Sequence, residues 1–168
     1  LGVFWNRDFL AKALGAEGSD RRQWRPDGLI LCYPVITSGE YANRGSFDNL
    51  IGDSEAEISA LLGAPAVEAL SLENQVSGDT PPTFLWHTYT DDCVPVENSV
   101  MFVNGMCRAK VPSELHVYPV GGHGLSLANQ LTQGQGGTAI QEECASWISL
   151  AHTWIEAQYG IKTAEAST

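Results

Sequence analysis

Three short apolar runs set what this chain can fold into. They are Gly28–Tyr33 (GLILCY), Thr83–His87 (TFLWH) and Glu114–Tyr118 (ELHVY). The first two are nearly continuous, as expected of strands buried on both faces; the third alternates. Pro34 ends the first. Between and around the runs lie helical patterns. Leu1, Phe4, Trp5, Phe9, Leu10, Ala13 and Leu14 fall near helical spacing before Gly15. Pro95 suits the first turn of a helix through Ala109. Ile140, Cys144, Trp147, Ile148, Ala151, Trp154 and Ile155 form one stripe on a helix expected over 139–159, with Gly160 as its stop. Helices alternating with short strands predict an α/β fold, a parallel sheet flanked by helices.

Residues 37–82 interrupt this pattern with Gly, Ser, Asn and Asp clusters. One helix is expected there, with Ile58, Leu61 and Leu62 on its face. Asp53 or Ser54 would cap it, and Glu55 and Glu57 would complement its dipole. A long connection carrying its own helix reads as a lid-like insert. The expected organisation is one domain over 1–160 containing that insert, followed by a flexible tail at 161–168.

Charge narrows the functional classes. Nine Lys+Arg against twenty Asp+Glu give −11 over 168 residues. That balance argues against binding nucleic acid or an anionic membrane surface. Cys32, Cys93, Cys107 and Cys144 are widely spaced, form no Cys-x-x-Cys pair, and read as reduced thiols, Cys32 buried in its strand. The four histidines, His87, His116, His123 and His152, lack metal-ligand spacing, and no glycine-rich nucleotide motif occurs, so neither metal nor cofactor is expected. No signal peptide is visible in a chain that begins at Leu1, and the cytoplasm is the favoured compartment.

Catalytic groups of parallel sheets sit in loops at the carboxyl ends of strands. After the second strand comes His87-Thr-Tyr-Thr-Asp91-Asp92-Cys93-Val94-Pro95; after the third comes Gly121-Gly-His123-Gly124. An acid and a histidine on neighbouring strand ends fit a general base and the carboxylate that orients it. Asp92 could instead cap the helix that follows. Gly124-Leu-Ser126-Leu-Ala128 is a degenerate serine motif, but His123 is too close in sequence to serve it, and Ser126 reads as a helix cap. Glu97 and Asn98 read as first-turn helix residues, and Phe84 and Trp86 as core.

The segments Arg25–Ile36, Pro82–Thr88, Val94–Ser99 and Gly121–Gly124, in that order, resemble the C-terminal part of α/β-hydrolase esterases. The group they are most similar to is the acetyl esterase and acetyl xylan esterase-like family, near the dienelactone-hydrolase-like enzymes. The resemblance implies a triad acid three residues before the Val-Pro pair, at Asp91 rather than Asp92, and a triad base at His123. It also implies that the insert covers substrate. The family's Gly-x-Ser-x-Gly turn and its oxyanion loop do not occur in these residues. The serine is therefore expected just before Leu1, on an N-terminal half that would be this chain's partner.

Three functions follow as expectations. The first is a serine-type carboxylic-ester hydrolase acting on acetylated sugars or short-chain esters. The second is a truncated, non-catalytic binding module. The third is a peptidase or lactonase on the same fold. An unpaired edge on the first strand would favour association, including a homo-oligomer.

Overall fold

The computed structural model describes residues 1–161. They divide into two compact units, Leu1–His123 and Gly124 onward. The tail expectation falls largely on 162–168, outside the described residues.

The first unit holds the sheet. Strands β1 (Leu29–Cys32), β2 (Thr83–Thr88) and β3 (Ser113–Tyr118) run parallel in the order β1-β2-β3. Register places Leu31, Leu85 and Leu115 side by side across one face. Helix α5 (Glu97–Ala109) lays Phe102 and Met106, one turn apart, on the core that this row helps to form. Gly105 lets the helix sit this close. A Cβ there would stand 2.8 Å from the backbone oxygen of Glu73, in the connection that precedes β2.

Burial follows position in the sheet. Every residue of β2 is buried, as its apolar run predicts. Strand β1 departs from expectation: it is half-buried, and Ile30 is 42% exposed. Among the described residues only β2 pairs with it, so its outer edge and one face lack cover. Cys32 is likewise half-buried rather than buried.

Helix α1 (Asp8–Ala13) is shorter than its pattern, because 1–6 form turns; Gly15 follows it at φ +61°. The insert holds more helix than expected. Ahead of α3 (Glu55–Leu62) lies α2 (Arg44–Ile51), and α4 (Ala66–Ala69) follows. Phe47, Ile51 and Ala66 form a small core of the insert's own. Asp53 sits in a 3-10 turn, and Ser54, at the start of α3, makes no side-chain cap bond. The cap in this region is Asn43, whose Oδ1 accepts the Ser46 N–H at the start of α2.

Asn98 ties the insert to α5. It is fully buried. Its Oδ1 accepts the N–H groups of Ile36 and Thr37 at 2.9 and 3.0 Å. Its Nδ2 donates to the carbonyls of Tyr41 and Pro95 at 2.9 and 3.0 Å. All four bonding positions of the amide are used, and only one orientation satisfies them. Asn98→Ala would leave two buried N–H groups without partners. The expected cost is about 2–4 kcal/mol of unfolding free energy, read from urea unfolding of the intact protein.

In the second unit, α6 (Glu142–Ala145) and α7 (Trp147–Tyr159) replace the single helix expected over 139–159. Trp147, Ala151 and Trp154 form the buried stripe of α7, and Gly160 ends it in the left-handed region. No helix of the described residues is long and apolar enough to cross a membrane.

Candidate active site

The loops that leave the carboxyl ends of β2 and β3 are stitched together. Thr88 Oγ1 and Thr90 Oγ1 each donate to the carbonyl of Gly121 at 2.9 Å, and the Gly121 N–H returns to Thr90 Oγ1 at 2.9 Å. This clasp fixes the turn that delivers His123. Gly124, at φ +75°, carries the chain away in a conformation that a side chain resists.

Asp91 and His123 meet here, as the sequence reading expects. Asp91 Oδ2 lies 2.8 Å from His123 Nδ1. Its other oxygen, Oδ1, accepts the N–H groups of Cys93 and Val94, each at 2.9 Å. The Asp91 side chain is fully buried, whereas that of His123 is 32% exposed. Burial alone would raise the Asp91 pKa. The Val94 N–H, the His123 ring and the Cys93 N–H outweigh it and hold the carboxyl below its ordinary range. An ionised Asp91 accepts the proton of His123 Nδ1, which leaves Nε2 as the basic nitrogen. Asp92 is exposed and takes no part in the network, so Asp91 rather than Asp92 makes the turn-closing contacts ahead of α5.

Two further rings surround the pair. Tyr33, the residue after β1, has its ring 4.9 Å from that of His123, edge to face. Its φ of +40° is rare for a bulky side chain. Such strain clusters at functional sites. His87, at the end of β2, is fully buried: Nδ1 lies 2.8 Å from Ser99 Oγ, and Nε2 lies 2.9 Å from the Val94 carbonyl. Sequence reasoning gave neither residue a role. Each touches the pair through the fold, and the one local signal is their place at strand ends.

The other candidates stand apart. Phe84 and Trp86 are fully buried, as expected. Ser126 is not a helix cap. It lies at φ +52° in a turn closed by the Ala128 N–H on the Leu125 carbonyl, and its own carbonyl accepts Trp147 Nε1. The next helical turn is capped by Asn129. Among the described residues, no cluster of three or more His, Cys, Asp or Glu is placed to hold a metal ion.

A parallel sheet that delivers an acid and a histidine from successive strand ends is the arrangement of the α/β-hydrolases. Residues 40–136 match the prolyl oligopeptidase family, and the chain belongs to that family. It is 44% identical over 105 residues to an endo-1,4-beta-xylanase B of Butyrivibrio fibrisolvens, covering 62% of this chain and 15% of that protein. Among solved structures it is similar to an acetyl ester-xyloside bifunctional hydrolase of Caldicellulosiruptor lactoaceticus. That match has 39% identity and a TM-score of 0.66, over 82% of this chain and 44% of the other. A sugar hydrolase of Lactococcus lactis matches at 30% identity and TM-score 0.64, over 86% and 53%. A carboxylesterase of Lactobacillus plantarum shares the fold at 24% identity and TM-score 0.71, over 97% and 54%. The chain thus spans about half the length of these solved relatives and a smaller share of the xylanase.

Proposed function

We propose that the intact protein is a serine-type carboxylic-ester hydrolase acting on acetylated sugars, with Asp91 and His123 as two members of its triad. The observation that carries this is the 2.8 Å contact between a buried carboxylate and a partly exposed imidazole. His123 Nε2 takes the proton of a serine that attacks the acyl carbonyl, then returns it to the leaving alcohol. Asp91 holds the ring in the Nδ1–H tautomer and stabilises the imidazolium. Serine and oxyanion donors come from outside these residues, on a further segment that pairs with the open edge of β1. The insert, held by Asn98 and by Asn43 Nδ2 on the Cys93 carbonyl, covers the substrate.

The sugar-ester class is supported by relatives whose names pair acetyl esters with xylosides or denote a xylanase or a sugar hydrolase. The family name itself points to peptides. A comparison of acetate release from acetylated xylo-oligosaccharides with cleavage of a prolyl-peptide anilide by the intact protein decides between them. Acetate release is expected to lead in kcat/KM by roughly 100-fold or more, a margin of differential transition-state binding. Peptide cleavage without acetate release would overturn the esterase reading. If neither substrate turns over, the binding-module reading takes its place.

The open edge of β1 has its own test. Residues 1–168 made alone are expected to self-associate, because an apolar edge invites pairing. A monodisperse monomer in light scattering would contradict this.

A further inference from the structure

We infer that His87 is a positioning residue for the acid of the triad, a role that rests on the reading of Asp91 and His123 above. Its hydrogen bonds fix its chemical form. The Val94 carbonyl can only accept, so Nε2 carries the ring proton, and Nδ1 accepts from the Ser99 hydroxyl. The Nε2 atom also lies 3.3 Å from Asp91 Oδ2, the oxygen that receives His123. The Val94 carbonyl takes the ring proton, and the carboxylate oxygen lies against the same edge of the ring as a second, longer contact.

These contacts close a ring. Asp91 Oδ1 accepts the Val94 N–H, the Val94 carbonyl accepts His87 Nε2–H, and His87 Nε2 lies against Asp91 Oδ2. Both carboxylate oxygens are held, so the group cannot swing out of the plane that suits His123. A neutral ring is what the place requires, since an imidazolium there would compete with His123 for Asp91. Burial lowers the His87 pKa, helped by repulsion from His123 and opposed by the Val94 carbonyl and Asp91. Asp91 and His123 are the ionisable groups that act on it. Ser99 sits on α5 at zero exposure and locks the tautomer.

The test compares His87→Phe, which fills the space without a donor, with His87→Gln, whose terminal amide can still donate where Nε2 stood. In the intact protein, His87→Phe is expected to lower kcat roughly 10- to 50-fold with KM within about twofold, the effect of a misplaced acid. The acid limb of kcat/KM should move to higher pH, because the charge of Asp91 then faces His123 without the His87 ring beside it. His87→Gln should recover most of both. Ser99→Ala, which leaves the tautomer unlocked, should lower kcat several-fold, and it carries the test if His87→Phe does not fold. Unchanged kcat and acid limb in His87→Phe would overturn the inference. So would equal losses in both His87 variants without a shift of the limb, or wild-type kcat in Ser99→Ala. His123→Ala serves as the separate control. If it stays active, the triad reading itself fails; if it is dead while His87→Phe behaves as wild type, the His87 inference alone fails.

Discussion

His123→Ala in the intact protein is expected to lower kcat/KM for acetyl esters by roughly 10⁴-fold or more, while leaving the unfolding midpoint nearly unchanged. The activity loss follows from geometry. Of the two groups that meet at the strand ends, only His123 is both reachable from solvent and held in one tautomer by a buried carboxylate. The small stability effect follows from exposure. The ring is a third exposed, and the turn that carries it is anchored through the backbone of Gly121 rather than through the imidazole. Parallel ester assays and thermal melts check both halves. Near-normal turnover would remove His123 from the mechanism.

Asp91→Asn should be almost as severe for activity, on the order of 10⁴-fold, whereas Asp92→Asn should change it less than about twofold. The two N–H groups of Cys93 and Val94 demand an acceptor at Oδ1, so the carbonyl oxygen of an asparagine must take that place. Its NH₂ group then faces His123 Nδ1 and the His87 Nε2–H. Two donors oppose each other at His87, and His123 is driven to the tautomer whose Nε2 carries a proton and cannot act as a base. Asp92, exposed and outside the network, has no such consequences.

Asp91→Asn also gives a pH signature in stability. The Asp91 carboxyl is held below its ordinary value, so its ionised form stabilises the folded state above the carboxylate range. That contribution is lost as the pH falls through the depressed folded value. The stability gap between wild type and Asp91→Asn should therefore narrow in strong acid, which urea unfolding at a series of pH values would show. A gap independent of pH would mean that the ionised carboxylate is not what stabilises the loop.

The sequence makes the sheet and the loops that bring Asp91 to His123 legible because both are written locally. Apolar runs bounded by Pro, Gly and helix patterns marked β1, β2 and β3, and the Asp–Val–Pro and Gly-Gly-His-Gly spacings marked the loops. Contacts between distant residues were not legible. The roles of His87 and Ser99 depend on which carbonyl and carboxylate the ring meets. Asn98 reads as an ordinary first-turn residue until Ile36, Thr37 and Tyr41 are brought to it. Helix α2 was missed for a local reason: Gly45 and Ser46 are poor helix formers, and the Asn43 cap with Phe47, Leu50 and Ile51 behind it is a short signal. The apolar run of β1 predicted burial on both faces, but burial depends on what lies alongside, and among these residues only β2 does.

The clasp of Thr88 and Thr90 on Gly121 bears on how this scaffold can be altered. Both backbone polar groups of Gly121 in the β3 loop are spoken for by the β2 loop, so neither loop can change length without dragging the other. Insertions and deletions there would part Asp91 from His123 in one step. The stretch between Tyr41 and Leu70 has a small core that packs against Val35 and is tethered at a few polar points, so it can be recut behind those contacts and still leave the strand ends in register. Diversity in this lineage, and any attempt to retarget it in the laboratory, should therefore be written in the insert while the strand-end loops keep their length.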